Sequence, residues 1–142
     1  MSKHFDADVA VVGYGPTGLI TALTLAKEGT SVIAFEHYES IYPRARAVTV
    51  NDWTMRIFQA LGVDGAAMQA LEPQRALRWL TYDRHEVMRV EHPPSTLGAS
   101  ARFYNMYQPA MEATLRECGD DYNQLQVRYN TVVENVEQDA DG

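Results

Sequence analysis

Cysteine is almost missing from this chain: Cys118 stands alone among 142 residues, so no internal disulfide can form and stability must come from a packed core. Lysine is also scarce, two residues against ten arginines, and 19 Asp and Glu outweigh 12 Lys and Arg for a formal charge of -7. Binding to nucleic acid or to an anionic membrane surface needs clustered cations, so neither is expected as a partner. Long apolar runs are absent too. The longest, "GLITALTLA", is nine residues, less than half of the ~20 that a helix needs to span a bilayer. The N-terminal "MSKHFDAD" has no apolar core of the kind a secretory signal requires, and with one cysteine this points to a reducing, cytoplasmic setting. His4, His37, His85 and His92 show no metal-ligand spacing, so no metal is expected. Cys118, beside Arg116 and Glu117 on an expected helix, reads as a packing thiol rather than a nucleophile.

What is present is ordinary in bulk and particular in order. With 46% hydrophobic and 22% charged residues, the chain can build one globular core. Asp8–Val12 reads as a strand buried on both faces, 15–28 as a helix ended by Gly29, and "SVIAF" as a second strand, which together make a βαβ unit with parallel strands. The doubly wound pattern then stops. "NDWTMRIFQALG" reads as a helix with Asn51 or Asp52 at its N-cap, Ile57, Phe58 and Leu61 on one face, and Gly62 past its end. "LRWLTY" and "EVMRV" read as strands around a turn, "FYNMY" as a short strand, and "QPAMEATLRECG" as a helix opened by Pro109. "LQVRY" and "TVVENVEQ" read as two late strands, followed by "DADG" as a hairpin turn. The aromatic pair of segments "RWLTY" and "FYNMY" has no basic groove beside it, so core packing is expected rather than a base-stacking platform.

The stretch "GYGPTG" lies between the first strand and the first helix. The three glycines of this G-x-G-x-x-G serve different ends. Gly13 makes the tight turn, Gly15 lets backbone approach a pyrophosphate, and Gly18 lets helix and strand pack closely. Glu36 follows at the tip of the second strand, at about the ~20-residue spacing from which a carboxylate reaches a ribose hydroxyl pair. Dinucleotide binding follows, and the carboxylate disfavours a 2′-phosphorylated ribose. Nicotinamide and flavin dinucleotides both remain open on these residues alone.

Three segments, "DVAVVGYGPTGLITALTLAKEGTSVIAFE", "RARAVTVNDWTMRIFQALG" and "FYNMYQPAMEATLRE", resemble in order and separation the FAD-binding region of single-component flavoprotein aromatic hydroxylases, most of all the 3-(3-hydroxyphenyl)propionate hydroxylase-like branch. The resemblance runs from about Asp8 to Asp139 and is thin between Asp64 and Arg102. It implies an α/β, Rossmann-like FAD/NAD(P)-binding fold, with 1–142 as the N-terminal portion of an FAD-binding domain whose remainder and substrate domain lie further on. It implies FAD as cofactor, with Gly13, Gly15, Pro16, Thr17 and Gly18 at the pyrophosphate, Glu36 at the adenosine ribose and His37 beside it. Arg46, in preference to Arg44, would lie along the pyrophosphate and ribityl chain. Gln108 would bond the ribityl or ring edge, and Val133 would meet the adenine.

The implied activity is hydroxylation of a small phenolic or other aromatic substrate through a flavin C4a-hydroperoxide, with NADH or NADPH as electron donor. No catalytic residue is assigned within the chain, which alone is expected to be inactive, and its oligomeric state is left open. A stand-alone nucleotide-binding module and an NAD-dependent reductase domain are the alternatives. Arg46 and Gln108 argue against the reductase, and the unpaired "DADG" turn argues against a complete module.

Overall fold

The structure is a computed structural model and describes residues 5–138. In chain order the elements are β1 (Val9–Val12), α1 (Pro16–Lys27), β2 (Val32–Phe35), β3 (Thr49–Asn51), α2 (Asp52–Leu61), α3 (Asp64–Ala67), β4 (Leu71–Gln74), β5 (Ala76–Leu80), β6 (Glu86–Glu91), β7 (Phe103–Met106), α4 (Gln108–Gly119) and β8 (Leu125–Arg128), with a 3-10 turn at Met68–Ala70. They sort into two units. The first takes the residues up to Pro43 and those from Glu112 on, and the second is Arg44–Met111.

The first unit is built on the expected βαβ. β1 and β2 pair in parallel, Val9 opposite Val32 and Val12 opposite Phe35. Asp8 and Ser31 pin the start of that register: the Asp8 carboxylate accepts the Ser31 amide at 3.0 Å and its hydroxyl at 2.6 Å. α1 buries Leu19, Ala22, Leu23 and Ala26, the one-sided stripe of an amphipathic helix, and its two alanines keep it close to the sheet. Its end is set by Gly29, whose φ of +87° suits a residue without Cβ.

β8 adds to the other side of β2, again in parallel, with Val32 opposite Leu125, so the sheet order is β1-β2-β8. The expected strand over "TVVENVEQ" does not form: 131–138 make no strand. Its β-branched Thr131, Val132, Val133 and Val136 favour a strand, but a strand exists only against a partner ladder, and no described segment supplies one. Instead Asn130 turns the chain with φ of +51°, and the Thr131 amide bonds the Glu36 carbonyl. Of the expected "DADG" turn, Asp139 to Gly142 lie outside the described residues.

The second unit holds a three-stranded antiparallel sheet of order β3-β7-β4 and a separate β5-β6 hairpin. α2 is capped as expected: Asn51 Oδ1 accepts the Thr54 amide at 3.1 Å, and Gly62 closes it at φ of +79°. It buries Met55, Phe58 and Leu61, whereas Ile57, expected on that face, is 41% exposed. Met55, three residues before Phe58, takes the buried stripe, and Ile57 falls off it by one residue. The β5-β6 hairpin also departs from expectation. Its pairs Leu77–Val90 and Trp79–Met88 share one face of the ribbon, yet all four are exposed, so "RWLTY" does not pack as core while Tyr104 of "FYNMY" does.

Candidate functional site

The glycine loop takes its shape from backbone needs that can be named atom by atom. Gly13 adopts φ of +93°, and its amide continues the β1-β2 ladder by bonding the Phe35 carbonyl at 2.7 Å. Gly18 has no room for a side chain: a Cβ there would stand 1.9 Å from the Gly13 carbonyl oxygen. Gly15 is the opposite case, since a Cβ there would meet nothing within 4 Å. It is the N-cap of α1 and, as glycine, supplies no side-chain cap.

Pro16 begins the helix, where a missing amide proton costs nothing. Thr17 and Gly18 follow in the first turn, which holds no acidic residue. The first-turn amides have no intrahelical acceptor and, with the helix dipole, favour an anion. Open space before Gly15, an uncapped helix end and no carboxylate in the first turn fit a diphosphate.

Glu36 sits beyond the tip of β2, only 6% exposed. Its Oε2 accepts the Tyr14 amide at 2.8 Å and its Oε1 the Tyr38 amide at 2.9 Å, with His37 Nδ1 3.0 Å from Oε1. Burial pushes this carboxyl up, but the Tyr38 and Tyr14 amide bonds, helped by His37 and Arg116, outweigh it and hold the group below the ordinary glutamate value. An ionised carboxylate offers about four acceptor positions, so a hydroxyl donor can still be taken up beside these partners. The motif reading treats Tyr14 as filler between two glycines. The structure makes it the link between loop and carboxylate, a role that only its amide reveals. The His37 and Tyr38 rings lie beside Glu36 with centroids 3.7 Å apart and planes tilted by 43°.

Within the second unit, Arg46 and Gln108 are brought together although 62 residues separate them. Gln108, 4% exposed, accepts the Arg46 amide at 3.0 Å and the Ala47 amide at 2.8 Å through Oε1. The glutamine therefore sets the course of the chain that carries Arg46, whose residue surface is exposed. Val133 is half-buried, outside any strand. Gly13, Gly15, Pro16, Thr17, Gly18, Glu36, His37 and Val133 belong to the first unit, Arg46 and Gln108 to the second.

Among the described residues no group of three or more His, Cys, Asp or Glu could hold a metal ion, and no helix is long and apolar enough to cross a membrane. Burial, then the nearby Asp121 and Glu117, push the Cys118 thiol up, which suits a packing thiol.

A family model described as FAD binding domain matches residues 6–142. A probable NADH-specific resorcinol 4-hydroxylase of Rhodococcus jostii is 37% identical over 132 residues, covering 92% of this chain and 25% of that protein. A 3-(3-hydroxy-phenyl)propionate/3-hydroxycinnamic acid hydroxylase of Paraburkholderia xenovorans is 31% identical, covering 96% of this chain and 22% of its own length. Among solved structures, the p-nitrophenol 4-monooxygenase of Pseudomonas putida superposes with a TM-score of 0.82 at 22% identity, covering 92% of this chain and 33% of that one. The chain thus spans about a quarter of the length of the curated relatives it matches.

Proposed function

The chain belongs to the FAD binding domain family, and on that premise we propose that residues 1–142 hold the adenosine and pyrophosphate half of FAD in a flavoprotein monooxygenase acting on a small aromatic substrate. The observation that carries this reading is the buried Glu36 carboxylate bonded to the Tyr14 amide inside the glycine motif, which sets an acceptor for hydroxyls beside the glycine loop. Gly15, Thr17 and Gly18 would give the diphosphate its amides, with Gly13 making the turn and Pro16 starting the helix beside it, and Glu36 would accept from the ribose hydroxyls with His37 at its side. Arg46 would neutralise the diphosphate, its segment held by Gln108. Val133 would lie against the adenine.

When bound, FAD supplies two-electron transfer from a nicotinamide donor and activation of dioxygen. These residues bind and orient it, and none is assigned to the chemical step. A phenol is the favoured substrate class, because the two curated relatives are named for resorcinol and for a hydroxyphenyl acid. NADH is the favoured donor, by the name of the first of them.

The test is turnover by the whole protein supplied with NADH, dioxygen and a panel of phenols including resorcinol. Phenol-stimulated NADH oxidation with a product heavier by one oxygen atom is the expected result. Retained flavin with no phenol response would overturn the substrate class, and a protein that retains no flavin would overturn the cofactor assignment.

A further inference from the structure

Arg116, in the part of α4 that belongs to the first unit, is placed in a way the roles above do not use. Its guanidinium carbon lies 5.3 Å from the Tyr14 ring centroid and 5.2 Å from that of Tyr129, so the cation sits against two rings that meet edge-on at 75°. Nη2 donates to the Tyr14 carbonyl at 3.2 Å and stands 3.9 Å from Glu112 Oε2. The side chain is 14% exposed, and its Nε, fully buried, finds no acceptor among the described residues. An unsatisfied buried N–H costs free energy that an apolar residue of similar volume would not. Fold stability alone therefore does not account for an arginine here.

The Tyr14 backbone shows what the arginine accomplishes. Its amide is held by Glu36 and its carbonyl by Arg116, so the peptide groups on both sides of Tyr14 are fixed between Gly13 and Gly15. The ring is anchored as well. Tyr14 is 1% exposed, and a Cβ on Gly119 would stand 3.2 Å from its hydroxyl oxygen, so a residue without a side chain faces the end of the ring.

We propose that Arg116 is a positioning residue for the pyrophosphate loop, clamping Tyr14 so that the Gly15, Thr17 and Gly18 amides are arranged before FAD arrives. The inference rests on the FAD reading above. A loop ordered in advance loses less freedom on binding, so the clamp is felt as affinity for the ADP half of the cofactor.

The test is titration calorimetry of the purified, flavin-depleted protein with FAD and ADP, alongside apo melting temperatures, for wild type, Arg116→Met, Arg116→Lys and Tyr129→Leu. Arg116→Met is expected to weaken FAD and ADP alike by about tenfold, which is ~1.4 kcal/mol. Arg116→Lys keeps a cation between the rings and a donor for the Tyr14 carbonyl, and should recover most of that loss. Tyr129→Leu, which removes one wall around the cation and leaves the Gly13–Gly18 sequence unchanged, should move both affinities in the same direction. Where Arg116→Met does not fold, Tyr129→Leu decides. Lowered melting temperatures with wild-type affinities would make Arg116 merely structural and overturn the inference while leaving the FAD reading intact. A wild type that binds neither FAD nor ADP overturns both.

Discussion

At the scale of the residue, Glu36 concentrates the electrostatics of the proposed site. Its carboxyl is held below the ordinary value because the Tyr14 and Tyr38 amides favour the charged form more than burial penalises it. The folded state therefore binds this proton more weakly than the unfolded chain does. The resulting stability is present above the unfolded glutamate value and is lost as pH falls through the lower folded one. Glu36→Gln removes the titration, so its melting temperature should lie below wild type at neutral pH and converge with it on acidification through that range. Melting curves from neutral pH downward check this, and a constant gap would show that the charge contributes nothing. Tyr14 is the complementary case. Burial raises its phenol far above neutral pH, so the ring is a packing surface against Arg116 rather than an acid or base.

At the scale of the element, the β1-α1 turn can be separated into its structural and binding glycines. A methyl on Gly18 would collide with backbone, 1.9 Å from the Gly13 carbonyl oxygen, and backbone cannot rotate away. Gly18→Ala should destabilise by ~2–3 kcal/mol in urea unfolding, by the mechanism of overpacking. Gly15→Ala would place its methyl in open space and should unfold near wild type, yet weaken ADP binding if that space admits the diphosphate as proposed. Equal effects of the two on stability would contradict the division.

The same turn shows what was legible in the sequence. The βαβ unit, the caps of α2 and the pairing of Gly13–Gly18 with Glu36 could be read because each depends on local spacing and on glycine's freedom. The short strands Thr49–Asn51 and Leu71–Gln74 could not, since their register is set by Phe103–Met106, far along the chain, and Pro73 argues locally against a strand. "TVVENVEQ" is the converse, a β-branched stretch without a described partner. Arg116 and the Oε1 contacts of Gln108 escaped because both are long-range side-chain to backbone bonds, which no periodicity encodes.

At the scale of the whole molecule, the chain carries the features of a nucleotide-holding unit and leaves apolar surface uncovered. The hairpin residues Leu77, Trp79, Met88 and Val90 are exposed, and a two-stranded ribbon is marginal on its own in water. The two curated relatives are about four times the length of this chain. What these 142 residues hold is decided by calorimetric titration of the chain with FAD, ADP, FMN and NAD, with Arg46→Ala alongside. Binding of FAD and ADP, little response to FMN, and weakening by Arg46→Ala are predicted. Preference for NAD with indifference to Arg46 would contradict the account and return the glycine loop to a nicotinamide dinucleotide.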